Sequence, residues 1–111
     1  MLSKINNARA AHGLRPLKIS GELSMLARSH SRQMASSSSL FHTARFSSIC
    51  CWSAIAENVG MGDSVRTVHR ALMRSSAHRG NILDGRMRQA GVGIVAVGGR
   101  IWVTEIFRRP S

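Results

Sequence analysis

The sequence predicts an α+β domain in which helices cover both faces of a small antiparallel sheet. Two apolar segments, residues 90–97 and 100–107, flank Gly98-Gly99, the kind of dipeptide that a two-residue hairpin turn requires. Both faces of the second segment are largely apolar, so this sheet must be covered on both sides. Apolar residues at helical spacing earlier in the chain supply the covering helices. At 111 residues the chain is predicted to be a single domain, residues 1–111.

The first third of the chain predicts two helices. Apolar residues at three-four spacing place the first helix over residues 2–11, with a glycine just past its end. Residues 14–19 are expected to be extended, because Pro16 disfavours helix at the residue before it. Ser20 is the expected N-cap of a second helix that runs to about Ala35.

The middle of the chain alternates loops with shorter elements. Residues 36–51 begin with four serines and predict irregular structure. Residues 52–59 predict a strand that ends in glycines. Asp63 or Ser64 is expected to cap a third helix, and residues 78–83 to form a short helical turn.

The net charge of +11 comes from fourteen arginines and two lysines against five acids. The basic residues are spread along the chain, with no block of five or six like charges. Such a field attracts anionic partners, among them nucleic acid, phospholipid headgroups and phosphate-bearing polymers. The alternative is that the preference for arginine over lysine only reflects codon usage.

Aromatic content argues against a nucleic-acid-binding domain. Two tryptophans, three phenylalanines and no tyrosine provide no stacking platform for bases. No zinc-finger spacing or helix-turn-helix phrase is present. We therefore expect no specific nucleic-acid partner, and favour anionic cell-envelope polymers or lipids.

The two cysteines are adjacent, at Cys50-Cys51, and cannot join distant parts of the chain. A bond between neighbours closes a strained ring, so two reduced, partly buried thiols are expected, with an intermolecular bridge as the alternative.

No stretch approaches the ~20 apolar residues of a membrane span. The chain opens directly on a helical pattern, so we expect that any export leader is absent from it.

Two histidines and two glutamates stand out because each lies in a distinctive local phrase. His42 follows two apolar residues, Glu57 begins a Glu-Asn pair, His78 begins His-Arg-Gly-Asn, and Glu105 lies in an apolar strand. A carboxylate in an apolar setting needs a cation, hydrogen-bond donors or a proton. Histidines are natural partners for it, and together such groups can hold a metal ion.

With these phrases in this order, the chain resembles members of the CAP superfamily (cysteine-rich secretory proteins, antigen 5 and pathogenesis-related 1), in its short bacterial form. The phrases that carry the resemblance are Asn6-Asn7-Ala8-Arg9, Gly13 to Leu17, Ala27 to Ser31, Glu57 to Gly60, His78 to Leu83, Gly91-Val92-Gly93 and Trp102 to Phe107. The resemblance implies an α-β-α sandwich with a three-stranded antiparallel sheet between helices. It also implies a secreted or cell-surface protein.

The resemblance further implies a cavity lined by His42, Glu57, His78 and Glu105. His42 and His78 would be the ligands of Zn²⁺ or another divalent cation, with the glutamates nearby. Eukaryotic members carry several disulfides, which this chain cannot form, so it matches the compact bacterial branch. The resemblance specifies a fold and a cavity more firmly than a reaction.

Metal chemistry limits an enzymatic interpretation. Two imidazoles alone form a loose zinc site, whereas catalytic zinc usually has three protein ligands. A glutamate could supply the third, but His-Glu-x-x-His and Gly-x-Ser-x-Gly motifs are absent. Structural roles are the alternative for all four residues: a loop histidine with a satisfied hydrogen bond, or a glutamate paired with an arginine. Structural roles are predicted for the other histidines: His12, His30 and His69.

Two functions remain open from the sequence. The preferred one is a secreted or cell-surface binding module, whose cavity holds a divalent metal or a small ligand and whose basic surface meets anionic envelope polymers or lipids. The other is a metal-dependent, peptidase-like hydrolase with Glu57 or Glu105 as general base and His78 in the site. No catalytic residue is firmly assigned, and the oligomeric state is not predicted.

Overall fold

The computed structural model describes residues 1–44 and 46–111, and its strands form one sheet between helices. The elements in chain order are α1 (Leu2–Ala11), β1 (Lys18–Ile19), α2 (Gly21–Ser37), a 3-10 turn (Phe46–Ser48), β2 (Trp52–Gly62), α3 (Val65–Arg74), α4 (Ser76–Ile82), β3 (Gln89–Val97) and β4 (Arg100–Pro110). The strand order is β1-β3-β4-β2. β4 is therefore a central strand, and β2 lies at one edge.

The sandwich architecture is confirmed, with one difference in the sheet. Four strands are present where three were predicted, because Lys18 and Ile19 pair in parallel with Gln89 and Ala90. β1 is only two residues long and carries no alternating apolar pattern, so the sequence predicted an extended connection in its place. β2, β3 and β4 form the predicted antiparallel part.

The predicted helix ends are close to the observed ones. α1 has the predicted bounds, and α2 begins after Ser20, whose hydroxyl accepts from the Leu23 amide. Ser64 caps α3 in the same way, through the amide of Thr67. The hairpin turn places both Gly98 and Gly99 at positive φ, the conformation that the pair of glycines predicts.

The two faces of the sheet carry different helices. α2 packs on one face, where Leu23 and Ala27 meet Ile106. α1, α3 and α4 cover the other face, around Val103 and Phe107. Because side chains alternate along a strand, even-numbered residues of β4 face α2 and odd-numbered residues face the three-helix side.

α2 lies unusually close to β3. A side-chain Cβ built at Gly91 would overlap the backbone of Leu23, and one at Gly93 would overlap the backbone of Arg28. Ser31 fixes the same contact by donating to the Gly93 carbonyl at 2.9 Å. The Gly-Val-Gly phrase is therefore required by the distance between helix and sheet.

The Arg9 side chain is fully buried and joins α1 to the segment before β3. Its guanidinium donates to the carbonyls of Arg15 at 2.7 Å, Asp84 at 2.9 Å and Ile82 at 3.0 Å. Burial lowers the pKa of this guanidinium. A buried cation is tolerated here because backbone oxygens replace its water shell.

The prediction that Cys50 and Cys51 are reduced, partly buried thiols is wrong. Cys50 and Cys51 are bonded to each other, and both residues are exposed. In the described part of the chain, no helix is long and apolar enough to cross a membrane.

We predict that Gly91→Ala lowers the free energy of unfolding by about 2–3 kcal/mol or more, because α2 must move away from β3. Urea unfolding followed by circular dichroism measures this loss. The matched control is Gly80→Ala in α4, where a Cβ meets nothing within 4 Å and should change stability by less than about 1 kcal/mol. Equal stability of the Gly91 variant and the wild type would contradict the close approach.

Candidate functional site

The pairing of β2 with β4 places the two predicted glutamates on opposite faces of the sheet. Glu57 lies opposite Ile106, on the face that α2 covers. Asn58 lies opposite Glu105, on the face of α1, α3 and α4. The side chains of the two predicted glutamates therefore do not meet at one site.

Glu57 and His42 form a hydrogen-bonded pair on the α2 side. The Glu57 side chain is 1% exposed, and its Oε1 accepts from His42 Nδ1 at 2.9 Å. Thr43 adds two donors, its amide to Oε1 at 2.8 Å and its hydroxyl to Oε2. These three donors replace the water that burial removes from the carboxylate, and they attach the loop after α2 to β2.

The pair also orients the His42 ring. The side chain is 60% exposed, and with Nδ1 bound to Glu57 a neutral ring presents the Nε2 lone pair outward. In the described part of the chain, no hydrogen bond reaches this Nε2. It is available to a ligand with a hydroxyl or N–H group, or to a metal ion.

A cavity of about 430 Å³ lies beside this pair. It opens between α2, the loop after it and β4. Its walls are Leu26, Ser29, His30, Gln33, Phe41, His42, Thr43, Ala44, Ser48, Ile49 and Ile106. His30, predicted to be structural, holds one wall in place, since its Nε2 bonds to the Phe41 carbonyl and its ring packs edge-on against that phenyl ring.

Glu105 occupies a different environment, the apolar core beneath α1, α3 and α4. It is fully buried, and its Oε1 accepts from Asn58 Nδ2 at 3.1 Å. Its Oε2 has no hydrogen-bond partner among the described residues. Desolvation raises the pKa of Glu105 to about 7. Glu105 does not line the cavity beside His42.

His78 lines a second, smaller cavity of about 230 Å³ at the edge of β2. Its Nδ1 lies 2.8 Å from the hydroxyl of Ser75, which also lines this cavity. The remaining walls are Leu40, Val59, Gly60, Met61, Val68, Ala71 and Leu72. Among the residues that the structure describes, no carboxylate contacts the His78 ring.

Asn58 and Asn81 connect the two regions, and neither was among the four predicted site residues. Asn58 Nδ2 donates to the His78 carbonyl at 3.0 Å as well as to Glu105, and Asn81 Nδ2 donates to Asn58 Oδ1 at 2.9 Å. Asn81 also reaches the Glu57 carbonyl at 3.4 Å. Both asparagines lie inside the predicted phrases, Glu-Asn and His-Arg-Gly-Asn, which is the signal that could have identified them.

The described residues do not assemble a metal site in this arrangement. No group of three or more His, Cys, Asp or Glu side chains within residues 1–44 and 46–111 is placed to hold an ion. His42 and His78 line different cavities, and Glu57 is already bound by three donors. Zinc binding by the two histidines stays a prediction.

Glu105 makes stability depend on pH. The unfolded chain loses this proton near pH 4.5 and the folded protein near pH 7, so stability should fall between these values and level off above them. We predict that the stability of the wild type relative to Glu105→Gln falls by up to about 3 kcal/mol from pH 4.5 to pH 8.

Urea unfolding at several pH values tests this, with the exposed acid variant Asp63→Asn as the control. The control should follow the wild type at every pH. Parallel curves for wild type and Glu105→Gln would show that Glu105 does not titrate in this range.

Comparison with known proteins identifies the fold family. The sequence profile of the cysteine-rich secretory protein family (CAP) matches residues 2–107. No curated protein matches the chain in sequence. Among solved structures, an outer surface protein of Borrelia burgdorferi is similar with a TM-score of 0.89 and 15% identity, over 99% of this chain and 90% of that one.

Two further bacterial proteins are also similar. An extracellular protein of Bacillus anthracis that contains an SCP domain gives a TM-score of 0.80 at 21% identity, over 95% of this chain. A cysteine-rich secretory protein of Staphylococcus aureus gives 0.79 at 26% identity, over 97% of this chain. This chain spans 37% of each of those two proteins. The fold and the profile match over nearly the whole chain show that it belongs to the CAP family.

Proposed function

We propose that this chain is an extracellular or cell-surface binding domain whose α2-side cavity takes a small amphiphilic molecule. The observation that carries this proposal is the cavity of about 430 Å³, with an apolar floor and a histidine aimed outward by a buried glutamate. Cavities of 300–1,000 Å³ with few, well-placed polar groups are the usual ligand sites of proteins.

The walls indicate which chemistry such a ligand carries. Leu26, Ile49 and Ile106 form an apolar surface, which favours an aliphatic or aromatic body. Ser29 and Gln33 on α2 and His42 on the loop place polar atoms around it. The unprotonated Nε2 of a neutral His42 ring accepts a hydrogen bond, so a hydroxyl or N–H group on the ligand matches it.

The hydrolase alternative lacks a supporting observation. Glu105, one of its two candidate bases, faces the core on the opposite side of the sheet from the cavity. Glu57, the other, has its oxygens occupied by His42 and Thr43. Ser75 and His78 form a close pair, but no carboxylate among the described residues orients that histidine. Binding therefore accounts for the geometry better than catalysis does.

The relatives and the charge of the chain support the proposed location and the proposed surface partners. The outer surface protein and the extracellular protein named above support a place outside the cell for this chain. Two of the five acids, Glu57 and Glu105, are buried, and Glu22 and Asp84 are paired with Arg108 and Arg86. The surface field is thus strongly positive, which supports association with anionic envelope polymers or lipids.

A divalent cation remains the second candidate ligand. The Nδ1 atoms of His42 and His78 are both engaged, by Glu57 and Ser75, and in the tautomer with Nδ1 protonated each ring presents the Nε2 lone pair. Neutral imidazole nitrogens held in this way are good metal ligands. A shared site requires the two rings to approach one another from their separate cavities.

We predict that Ser29→Phe blocks the cavity without disturbing the fold, since Ser29 is exposed on α2 and lines the cavity. Binding of the neutral fluorescent amphiphile N-phenyl-1-naphthylamine should weaken at least about tenfold, a change of about 1.4 kcal/mol. The matched control Ser36→Phe, exposed on the same helix and outside both cavities, should bind as the wild type does. Equal binding by both variants would place the amphiphile elsewhere.

If a divalent cation is the ligand and draws the two rings together, zinc titrated into the metal-free protein binds at one site, and His42→Ala and His78→Ala each abolish it. Isothermal titration calorimetry measures the stoichiometry, and His12→Ala at the exposed end of α1 is the control. Zinc binding that survives in either histidine variant would exclude a shared site. Absence of binding in the wild type would leave the amphiphile as the ligand.

A further inference from the structure

α3 carries three arginines on its exposed face. Arg66, Arg70 and Arg74 follow one another at intervals of four residues, and all three are exposed. The buried residues of this helix, Val68 and Leu72, lie on the opposite side against the sheet. At 1.5 Å per residue, the row spans about 12 Å with about 6 Å between neighbouring arginines. We name these three residues the arginine row.

In the described part of the chain, no acidic side chain pairs with the arginine row. Among the described residues, none of its three guanidinium groups has an ion-pair or hydrogen-bond partner. α3 contains no acidic residue, and the nearest acid in sequence is Asp63, just before its N-cap. Like charges at four-residue spacing repel one another and weaken a helix, so the row lowers the stability of α3 when no anion is bound.

We infer that the arginine row is the binding surface for a linear, phosphate-bearing polyanion that lies along α3. This rests on the proposed association with anionic envelope partners and assigns it to one surface and one kind of partner. Each planar guanidinium offers paired donors that match a phosphate group. A polymer with regularly repeated phosphates engages all three at once, which raises its affinity over that of a single phosphate.

A polymer fits the row better than a membrane surface does. A helix that lies on a bilayer inserts an apolar face beside its basic one. The large apolar residues of α3 are buried or half-buried, and its exposed side consists of the three arginines with Thr67 and Ala71. The row therefore presents charge on a ridge, with no large apolar side chain to enter lipid.

The test compares two triple variants that each remove three charges. The first is Arg66→Gln with Arg70→Gln and Arg74→Gln, and the second, the control, is Arg15→Gln with Arg28→Gln and Arg100→Gln. The control arginines are exposed, lie on three different segments and have no hydrogen-bond or ion-pair partner for their side chains among the described residues. Glutamine keeps helix propensity close to that of arginine, and thermal unfolding checks that both variants are folded.

Binding of long-chain inorganic polyphosphate is measured over a range of salt concentrations. Each arginine that neutralises a phosphate contributes about 0.7 to the slope of log affinity against log salt. Removing the row should lower that slope by roughly 2 and weaken binding by about tenfold or more at low salt. The control should lose much less affinity and keep the wild-type slope.

Several outcomes would overturn the inference. Equal losses in the two variants would mean that the general field, not the row, binds the polymer. Tripolyphosphate bound as tightly as the long chain would indicate a site for a small anion. Row-dependent binding to phosphatidylglycerol vesicles without binding to polyphosphate would indicate a membrane. A wild type that binds neither would overturn the proposed surface association as well, whereas the cavity experiments would be unaffected.

Discussion

The register between β2 and β4 is the constraint on which the rest of the site depends. Asn58 opposite Glu105 fixes Glu57 opposite Ile106, and a slip of one residue would exchange the faces of every side chain on β2. The hydrogen bond from Asn58 to Glu105 lies within this register and stabilises it from the core side. Because the register is fixed, Glu57 lies on the α2 side, where it binds His42 and Thr43 of the cavity wall, and Glu105 stays in the core on the other side.

The two glutamates consequently have different chemistry, although their sequence contexts look alike. Glu57 keeps its oxygens satisfied by His42 and Thr43, and holds a histidine at the mouth of a cavity. Glu105 has one oxygen without a partner among the described residues, and burial favours its protonated form. Asn81 links the two regions, since it contacts both the side chain of Asn58 and the backbone of Glu57. A disturbance of either region is therefore expected to reach the other.

The sequence predicted the fold better than the site. Helix caps such as Ser20 and turns such as Gly98-Gly99 are local signals, so the elements could be placed from neighbouring residues alone. The short strand β1 could not, because its pairing with β3 is a tertiary contact without an apolar pattern. The candidate site residues were found through their phrases, but the face that each occupies depends on strand register and loop path. The grouping of His42 with Glu57, and of Glu105 with Asn58, therefore emerged only from the structure.

The most direct test of the proposed binding face is a nuclear magnetic resonance titration with N-phenyl-1-naphthylamine, followed through methyl signals. Ile49 and Ile106 line the cavity beside α2, whereas Val103 lies on the opposite face of the same sheet and Leu72 lines the smaller cavity. We predict saturable shifts of both isoleucine methyl signals, with those of Val103 and Leu72 unchanged. Shifts confined to Leu72 or Val103, or no saturable shift at all, would contradict a ligand site between α2 and β4.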